Sequence, residues 1–334
     1  FEHKNASFFG IFFIKRRKIM ESIQLNDFLK FRYISNLQES PMQTQMAFTV
    51  AIADEEKNEY QHELYLSDGK KVQKLLKLKN KASIIWETEQ SILVQYAKNK
   101  QEEKLIKDEK KTIYYRFNLI DRTIEQAYIF PFLTSIVKVL DQQKLLLQSS
   151  MTSSDHLLYL SNESERKELL KTQKKQTLYE DISEIPFYFN GQGFIANQRN
   201  QLLIYDVELK SITPIVDSDF SVGVVRVSSD LKHIYYTGQQ MTGVRSLTTH
   251  VFVYHVEQKD TEILYHENDC SIANLYLLKD KIIVAGRDMK DFGINQNVDF
   301  FELKQKRLEL FNLYRGSLGN SIGSDVRLNG SRQD

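Results

Sequence analysis

Near its C-terminus the chain carries Gly319-Asn320-Ser321-Ile322-Gly323. The pattern G-x-S-x-G suits a serine nucleophile, because the glycines allow a tight strand-to-helix turn that lifts the hydroxyl toward a base. That chemistry needs a helix after the turn and a histidine within reach. After Gly323 comes only the polar stretch SDVRLNGSRQD. All seven histidines (His3, His62, His156, His233, His250, His255 and His266) precede Ser321. Ser321 is therefore expected to be a loop residue with no catalytic role.

Three other stretches hold residue types that do chemistry. Gly191, Gly193 and Ala196 in NGQGFIA satisfy G-x-G-x-x-A, which in a dinucleotide site opens a helix whose N–H groups hold a pyrophosphate. The next residues, NQRNQLLIYDV, make a polar turn and another strand, so these glycines read as hairpin-turn residues. HENDC, from His266 to Cys270, gathers four possible metal ligands, but five consecutive residues do not converge on one ion. It reads as a polar loop. DEEKNE, from Asp54 to Glu59, lacks the alternating oxygens and central glycine of a calcium loop and reads as a solvated hairpin turn. No catalytic, cofactor-binding or metal-ligating set is expected.

Bulk composition narrows the partners. The 334 residues hold 45 Lys+Arg against 44 Asp+Glu, a formal net charge of +1. So even a balance argues against nucleic acid, which needs a concentrated basic surface. Cys270 is the only cysteine, so no intramolecular disulfide or cysteine-based zinc site can form, and a reducing, cytoplasmic setting is expected. The apolar run ASFFGIFFI is short and is succeeded by KRRK. A secretory signal has its charges before the apolar run, and a membrane span needs about 20 apolar residues, so no membrane association is expected. The chain begins with Phe1, while Met20 opens the plausible globular start MESIQLNDFLKFRYISNL. Residues 1–19 are expected to be an extension, poorly ordered or upstream of the natural start, with one domain over 20–334.

The elements that must position any site repeat along the chain. ELYLSDGKKVQKL, YYRFNLIDRTIEQA, LLYLSNESERKEL, LLIYDVELKSITPI, VFVYHVEQKDTEIL and VDFFELKQKRLEL share one layout: an apolar run, a polar turn, and an alternating segment. This is a β-hairpin signal. The third copy is the weakest, since it continues with helical spacing behind an asparagine cap. Between the hairpins recur short apolar strands centred on Phe48, Leu93, Leu146, Ile195, Tyr235 and Ile283, in steps of 40–53 residues. Such a period with four short strands each predicts an all-β fold, a β-propeller of six to seven four-stranded blades, incomplete and unclosed. The mixed-charge run KNKQEEKLIKDEKK reads as an exposed excursion between strands.

Several stretches resemble a known family. NLQESPMQTQMAF is similar to the S-P-D-G-x-x-x-A-F opening of blades in the N-terminal propeller of prolyl oligopeptidase (S9) family serine peptidases. Ser40, Pro41, Ala47 and Phe48 match it, and Met42 and Gln43 stand in place of Asp-Gly. SEIPFYFNGQGFIANQRNQLLIYDVELK looks like a blade boundary in acylaminoacyl-peptidase-like members. RVSSDLKHIYYTG and GSLGNSIGSDVR resemble further parts of that propeller. The resemblance covers roughly residues 20–334. It implies a propeller that covers the active site of an α/β-hydrolase domain and admits short peptides. The family's Ser-Asp-His triad has no counterpart here, so the chain reads as a non-catalytic gating fragment whose nucleophile lies beyond Asp334. The runner-up reading is a free-standing propeller that scaffolds protein–protein contacts. An unclosed propeller leaves an unpaired edge, so the isolated chain is expected to be marginally soluble or to need a partner.

Overall fold

The computed structural model describes residues 22–78, 82–176, 182–290 and 292–312. Residues 1–19 and the pentapeptide Gly319–Gly323 lie outside the described residues. Five four-stranded antiparallel sheets succeed one another along the chain. The first holds β1 (Arg32–Glu39), β2 (Met46–Asp54), β3 (Glu59–Ser67) and β4 (Val72–Leu78). The second holds β5 (Ile84–Thr88), β6 (Ser91–Gln95), β7 (Thr112–Asn118) and β8 (Ile124–Phe130), with α1 (Lys100–Glu109) between β6 and β7. In the third, β9 (Ser135–Val139) and β10 (Lys144–Met151) come first. An excursion comes next, with α2 (His156–Leu160), α3 (Glu163–Gln176) and a ribbon of β11 (Tyr188–Phe189) and β12 (Gly193–Phe194). Then β13 (Arg199–Asp206) and β14 (Ser211–Pro214) complete that sheet. The fourth sheet is β15 (Phe220–Val227), β16 (His233–Gln240), β17 (His250–His255) and β18 (Asp260–Tyr265). The fifth is β19 (Cys270–Leu277), β20 (Ile282–Asp288), β21 (Asp299–Lys304) and β22 (Arg307–Asn312).

These sheets are the blades of a β-propeller. First strands pack against one another at three junctions, β1 on β5, β5 on β9 and β15 on β19, while between the third and fourth blades β15 packs on β13. Each interblade space is an apolar core. Ala47, Leu64 and Leu78 meet Ile84 and Trp86 between the first two blades. Tyr114 and Phe130 meet Leu145 and Leu147 between the second and third. Leu146 and Leu202 meet Tyr236 and Phe252 between the third and fourth, and Val251 and Tyr265 meet Leu275 and Val284 between the last two. Burial of such aliphatic and aromatic side chains contributes about 1.5–3 kcal/mol each before the entropy of ordering is subtracted. Among the described residues every four-stranded sheet but the third is built from consecutive strands, and no strand from one end of the chain pairs into the sheet at the other.

Five of the six hairpin stretches become the third and fourth strands of blades. The exception is Leu157–Leu169, which lies in α2 and α3. Its partner anchor, Ile195, comes just after the ribbon strand β12 rather than sitting in a blade. What the spacing reads as two blades between Leu146 and Tyr235 is one blade, the third, carrying a long excursion between its second and third strands. The stretch SEIPFYFNGQGFIAN therefore lies inside a blade excursion and not at a blade boundary. The difference has a physical cause: the excursion happens to match one repeat in length, and its ribbon is as apolar as a blade strand. The run KNKQEEKLIKDEKK contains the regular helix α1. The Asn99 side chain accepts from Glu102 N at 3.0 Å and the Glu102 carboxylate accepts from Lys98 N at 2.7 Å, which caps the first turn.

The Ser-Pro opening of the first blade is a staple. Ser40 Oγ accepts from Thr44 N and Gln45 N, 3.2 and 3.1 Å away, and donates to Glu89 of the next blade at 2.8 Å. Ser228 closes the equivalent turn of the fourth blade, its Oγ accepting from His233 N at 3.0 Å.

At Gly238 the Phe220 ring lies across the backbone. A Cβ there would stand 2.3 Å from Phe220 Cε1 and 2.7 Å from Ser221 O. Phe220 is itself packed edge-on against Phe252, with ring centroids 5.3 Å apart, so it has nowhere to retreat. Gly238→Ala is expected to destabilise the protein by about 1–3 kcal/mol through overpacking. Urea unfolding checks this, and an unchanged midpoint would contradict the packing described.

Candidate functional site

Antiparallel alternation within each blade fixes which loops share a face. Connections from second to third strand, and from the fourth strand to the next blade, emerge on one face. All other connections emerge on the opposite face, where none is longer than 40–45. The long excursions 96–111, 152–198, 241–249 and 289–298 all rise from the first of these faces. Loops that rise together on a rigid scaffold are where function collects.

The largest excursion is fastened at several points. Asn162 caps α3, its Oδ1 accepting from Ser164 N and Glu165 N at 3.0 and 3.1 Å. Arg166, 2% exposed, donates to Pro131 O at 2.8 Å and also to Glu109 O, joining α3 to the connections of the second blade. Lys110 Nζ meets Asp155 Oδ1 at 2.8 Å, and Gln173 Nε2 reaches the same carboxylate at 3.1 Å. Further on, Glu184 and Arg199 form a buried ion pair, and Glu184 also accepts from Asn197 N at 3.0 Å. Backbone bonds from Ile185 N to Gly243 O and from Arg245 N to Ile185 O, both 2.8 Å, tie this segment to the fourth blade.

The ribbon stands between these anchors. Gly191 and Gly193, at φ +79°, turn the chain between β11 and β12, and the next regular element after β12 is the strand β13. The glycines thus serve the hairpin turn that their sequence context predicts. Tyr188 and Phe194 face each other across the ribbon with centroids 5.5 Å apart at 78°. Ile185, Phe187, Tyr188, Phe189, Phe194 and Val244 are between 38% and 64% exposed. Leu247, Phe292 and Ile294 are exposed apolar residues on the excursions of the fourth and fifth blades.

Several of the candidate chemistry groups are in structural use. HENDC links the fourth and fifth blades. Its His266 ring packs edge-on against His250 at 4.0 Å, and its Asp269 accepts from the Tyr265 hydroxyl and pairs with Lys290 at 3.2 Å. Cys270 is 3% exposed, and burial, with Asp269 and Asp288 adding to it, pushes its thiol up to about 12, so it is no nucleophile at neutral pH. DEEKNE forms the solvated β2–β3 turn, where Asp54 pairs with Lys57 at 3.2 Å. Ser154, Asp155 and His156 are adjacent in sequence but do not form a relay. Asp155 is engaged by Lys110 and Thr152, while His156 Nδ1 lies 3.2 Å from the Tyr159 hydroxyl. Beside them a cavity of about 30 Å³, lined by Lys110, Ser149, Ser150 and Asp155, has room for a water molecule and not for a substrate. Among the described residues no group of three or more His, Cys, Asp or Glu could hold a metal ion. No described helix is long and apolar enough to cross a membrane.

This arrangement is matched among solved structures. A Pyrococcus horikoshii acylaminoacyl peptidase superposes with a TM-score of 0.55 at 12% identity, over 85% of this chain and 40% of that one. The chain carries the fold of an S9 peptidase propeller. Other matches include a prolyl endopeptidase, with TM-score 0.49 and 9% identity over 84% of this chain and 36% of that one. The β-propeller domain of the Trilobed protease from Pyrococcus furiosus also matches, with TM-score 0.42 and 14% identity over 85% of both chains. The propeller thus spans about two fifths of the acylaminoacyl peptidase it resembles. No protein-family model matches the sequence, and no curated protein matches it either.

The Glu184–Arg199 pair makes the excursion sensitive to acid. The Arg199 guanidinium holds the Glu184 carboxyl below its ordinary value, against the opposing effect of burial. A depressed carboxylate contributes stability above its unfolded pKa, about 4.3, and that contribution is lost as pH falls through the folded value. Glu184→Gln is expected to cost about 1–3 kcal/mol at pH 7 through the lost charge-assisted bonds. The difference between wild type and variant in urea midpoint should shrink as pH is lowered through the carboxylate range. A difference that is independent of pH would contradict the pairing.

Proposed function

We propose that this propeller is the substrate-gating part of an S9-type serine peptidase, related to acylaminoacyl peptidases and non-catalytic by itself. The observation that carries the reading is one-sidedness: every long excursion rises from a single face, and that face exposes a rigidly held apolar rim. Exposed apolar side chains on the excursions of one face fit a face built to meet another domain. The partner we assign to it is an α/β-hydrolase domain bearing the nucleophile, histidine and acid. With the propeller over its active site, such a domain would accept short peptides and exclude folded chains. The buried free thiol of Cys270 agrees with a reducing, cytoplasmic setting.

A free-standing scaffold is the second reading, since the same rim would suit a non-enzymatic partner. The two readings separate on activity. The propeller alone is expected to leave acyl-aminoacyl p-nitroanilides intact. Joined to, or mixed with, an α/β-hydrolase domain encoded beside it, it should make cleavage selective for short peptides over a long unfolded protein. Hydrolysis by the propeller alone would overturn the non-catalytic reading. A hydrolase domain whose size selectivity is the same with and without the propeller would overturn gating and leave the scaffold.

A further inference from the structure

Two histidines meet across the fourth blade, away from the excursions. His233 opens β16 and His255 closes β17, and the two are register partners. Val256 N donates to Lys232 O at 2.9 Å, which makes those two residues a hydrogen-bonded pair. The adjacent pair, His233 with His255, is then of the non-hydrogen-bonded kind, in which facing side chains come closest. Both side chains leave the same side of the sheet as Tyr235 and Val253, and their rings lie 5.2 Å apart between centroids at 83°. They stand at the end of the blade that carries the β15–β16 and β17–β18 turns, on the propeller face opposite the long excursions.

Ring spacing, access and flanking charge point the same way. Two imidazoles on one tetrahedral ion, each with a metal–nitrogen bond of about 2.0–2.1 Å, hold their ring centroids about 5 Å apart. The strand pair already holds these rings at that spacing. The His233 and His255 side chains are 35% and 26% exposed, so an ion can reach them while keeping part of its water. Each ring also has a carboxylate near one nitrogen. Asp230 Oδ1 lies 3.6 Å from His233 Nδ1, and Glu262 Oε2 lies 3.9 Å from His255 Nε2. A carboxylate on one side of an imidazole favours the tautomer that turns its lone pair to a metal on the other. That leaves His233 Nε2 and His255 Nδ1 for coordination. The lysines in ion pairs around the rings are held by glutamates, Lys232 by Glu257 at 2.7 Å and Lys306 by Glu262 at 3.5 Å. Asp230, Glu257 and Glu262 thus outnumber these two lysines, while Lys259 and Asp260 at the β17–β18 turn add one charge of each sign. The setting favours a cation.

We propose that His233 and His255 chelate one divalent transition-metal ion of the Zn2+ type, through one nitrogen each, with water in the remaining positions. Neutral imidazole suits Zn2+ and its neighbours, whereas Mg2+ and Ca2+ take oxygen ligands. The protein supplies two ligands, fewer than the three or more that no described group provides, so binding is weaker than at a closed structural zinc site. An ion held here joins β16 to β17 and stabilises the middle of the fourth blade. The site is remote from the excursions, so it stands or falls separately from the gating proposal.

The test is calorimetric titration of the whole chain with zinc chloride near neutral pH, in a buffer that does not bind metals. Saturable uptake of a single ion is expected, and excess Mg2+ should not displace it. His233→Asn and His255→Asn should each weaken uptake by about tenfold or more. Zinc should also raise the thermal midpoint of the wild type and leave both variants unmoved, with matching circular dichroism spectra showing that they are folded. A second ring pair, His250 with His266, has centroids 4.0 Å apart and is the natural competitor. Replacing both of its members with asparagine should leave uptake unchanged. On wild-type protein, zinc should shield His233 and His255 from diethyl pyrocarbonate, read by mass spectrometry, a check that needs no variant. Absence of saturable uptake overturns the proposal, as does uptake that persists in His233→Asn and His255→Asn. Loss of uptake with the His250 and His266 replacements, or equal modification of His233 and His255 with and without zinc, overturns it as well.

Discussion

Every blade here depends on its neighbours to cover its faces. A four-stranded sheet has two apolar faces, and each is satisfied only by the sheet beside it. The four interblade cores are therefore the structure's real units of stability. Leu146 and Leu145 illustrate this, since consecutive residues on β10 serve different cores. A strand whose successive side chains are all wanted inside cannot show the simple in-out alternation of a one-sided sheet. It shows instead the near-continuous runs ILV and KLLL.

Those runs make the architecture legible in the sequence. Apolar strands at a roughly constant step, each leading into a hairpin, can be satisfied by few folds other than a ring of similar sheets. The excursion of the third blade is not legible in the same way. Its capping asparagine and helical spacing mark Leu157–Leu169 as a poor hairpin, yet its length sits within the repeat and its ribbon imitates a strand. α1 is hidden because its charge pattern resembles a solvated loop, although Asn99 and Glu102 together form a helix-start signature. The aromatic rim is invisible for a different reason. Exposure is decided by which loops the topology brings to one face, and Phe187, Val244 and Phe292 are far apart in sequence.

The chemical motifs illustrate the converse. HENDC, NGQG and the Ser154-Asp155-His156 run offer reactive atoms, and several of these are committed to a turn, a ring contact or an ion pair, while His156 Nε2 is buried without a hydrogen-bond partner among the described residues. Residue type proposes chemistry, and hydrogen-bond accounting decides whether any capacity is left over. The His156 ring meets Tyr159 through Nδ1 alone, a contact that no spacing rule could supply.

Arg166 carries a consequence for how the molecule comes together. Its guanidinium is buried with carbonyl acceptors from two separate connections, Glu109 O at the end of α1 and Pro131 O between the second and third blades. Glu109 O lies just before β7 and Pro131 O just after β8, so both positions depend on that strand pair. As ribosomes deliver the chain from its N-terminus, the excursion emerges after both acceptors already exist. A buried cation with half its acceptors missing is a costly state, so α3 can settle only on a finished neighbour. The side chain thus makes the seating of α3 conditional on the second blade and its two flanking connections, so damage to that blade should loosen a helix that belongs to the next.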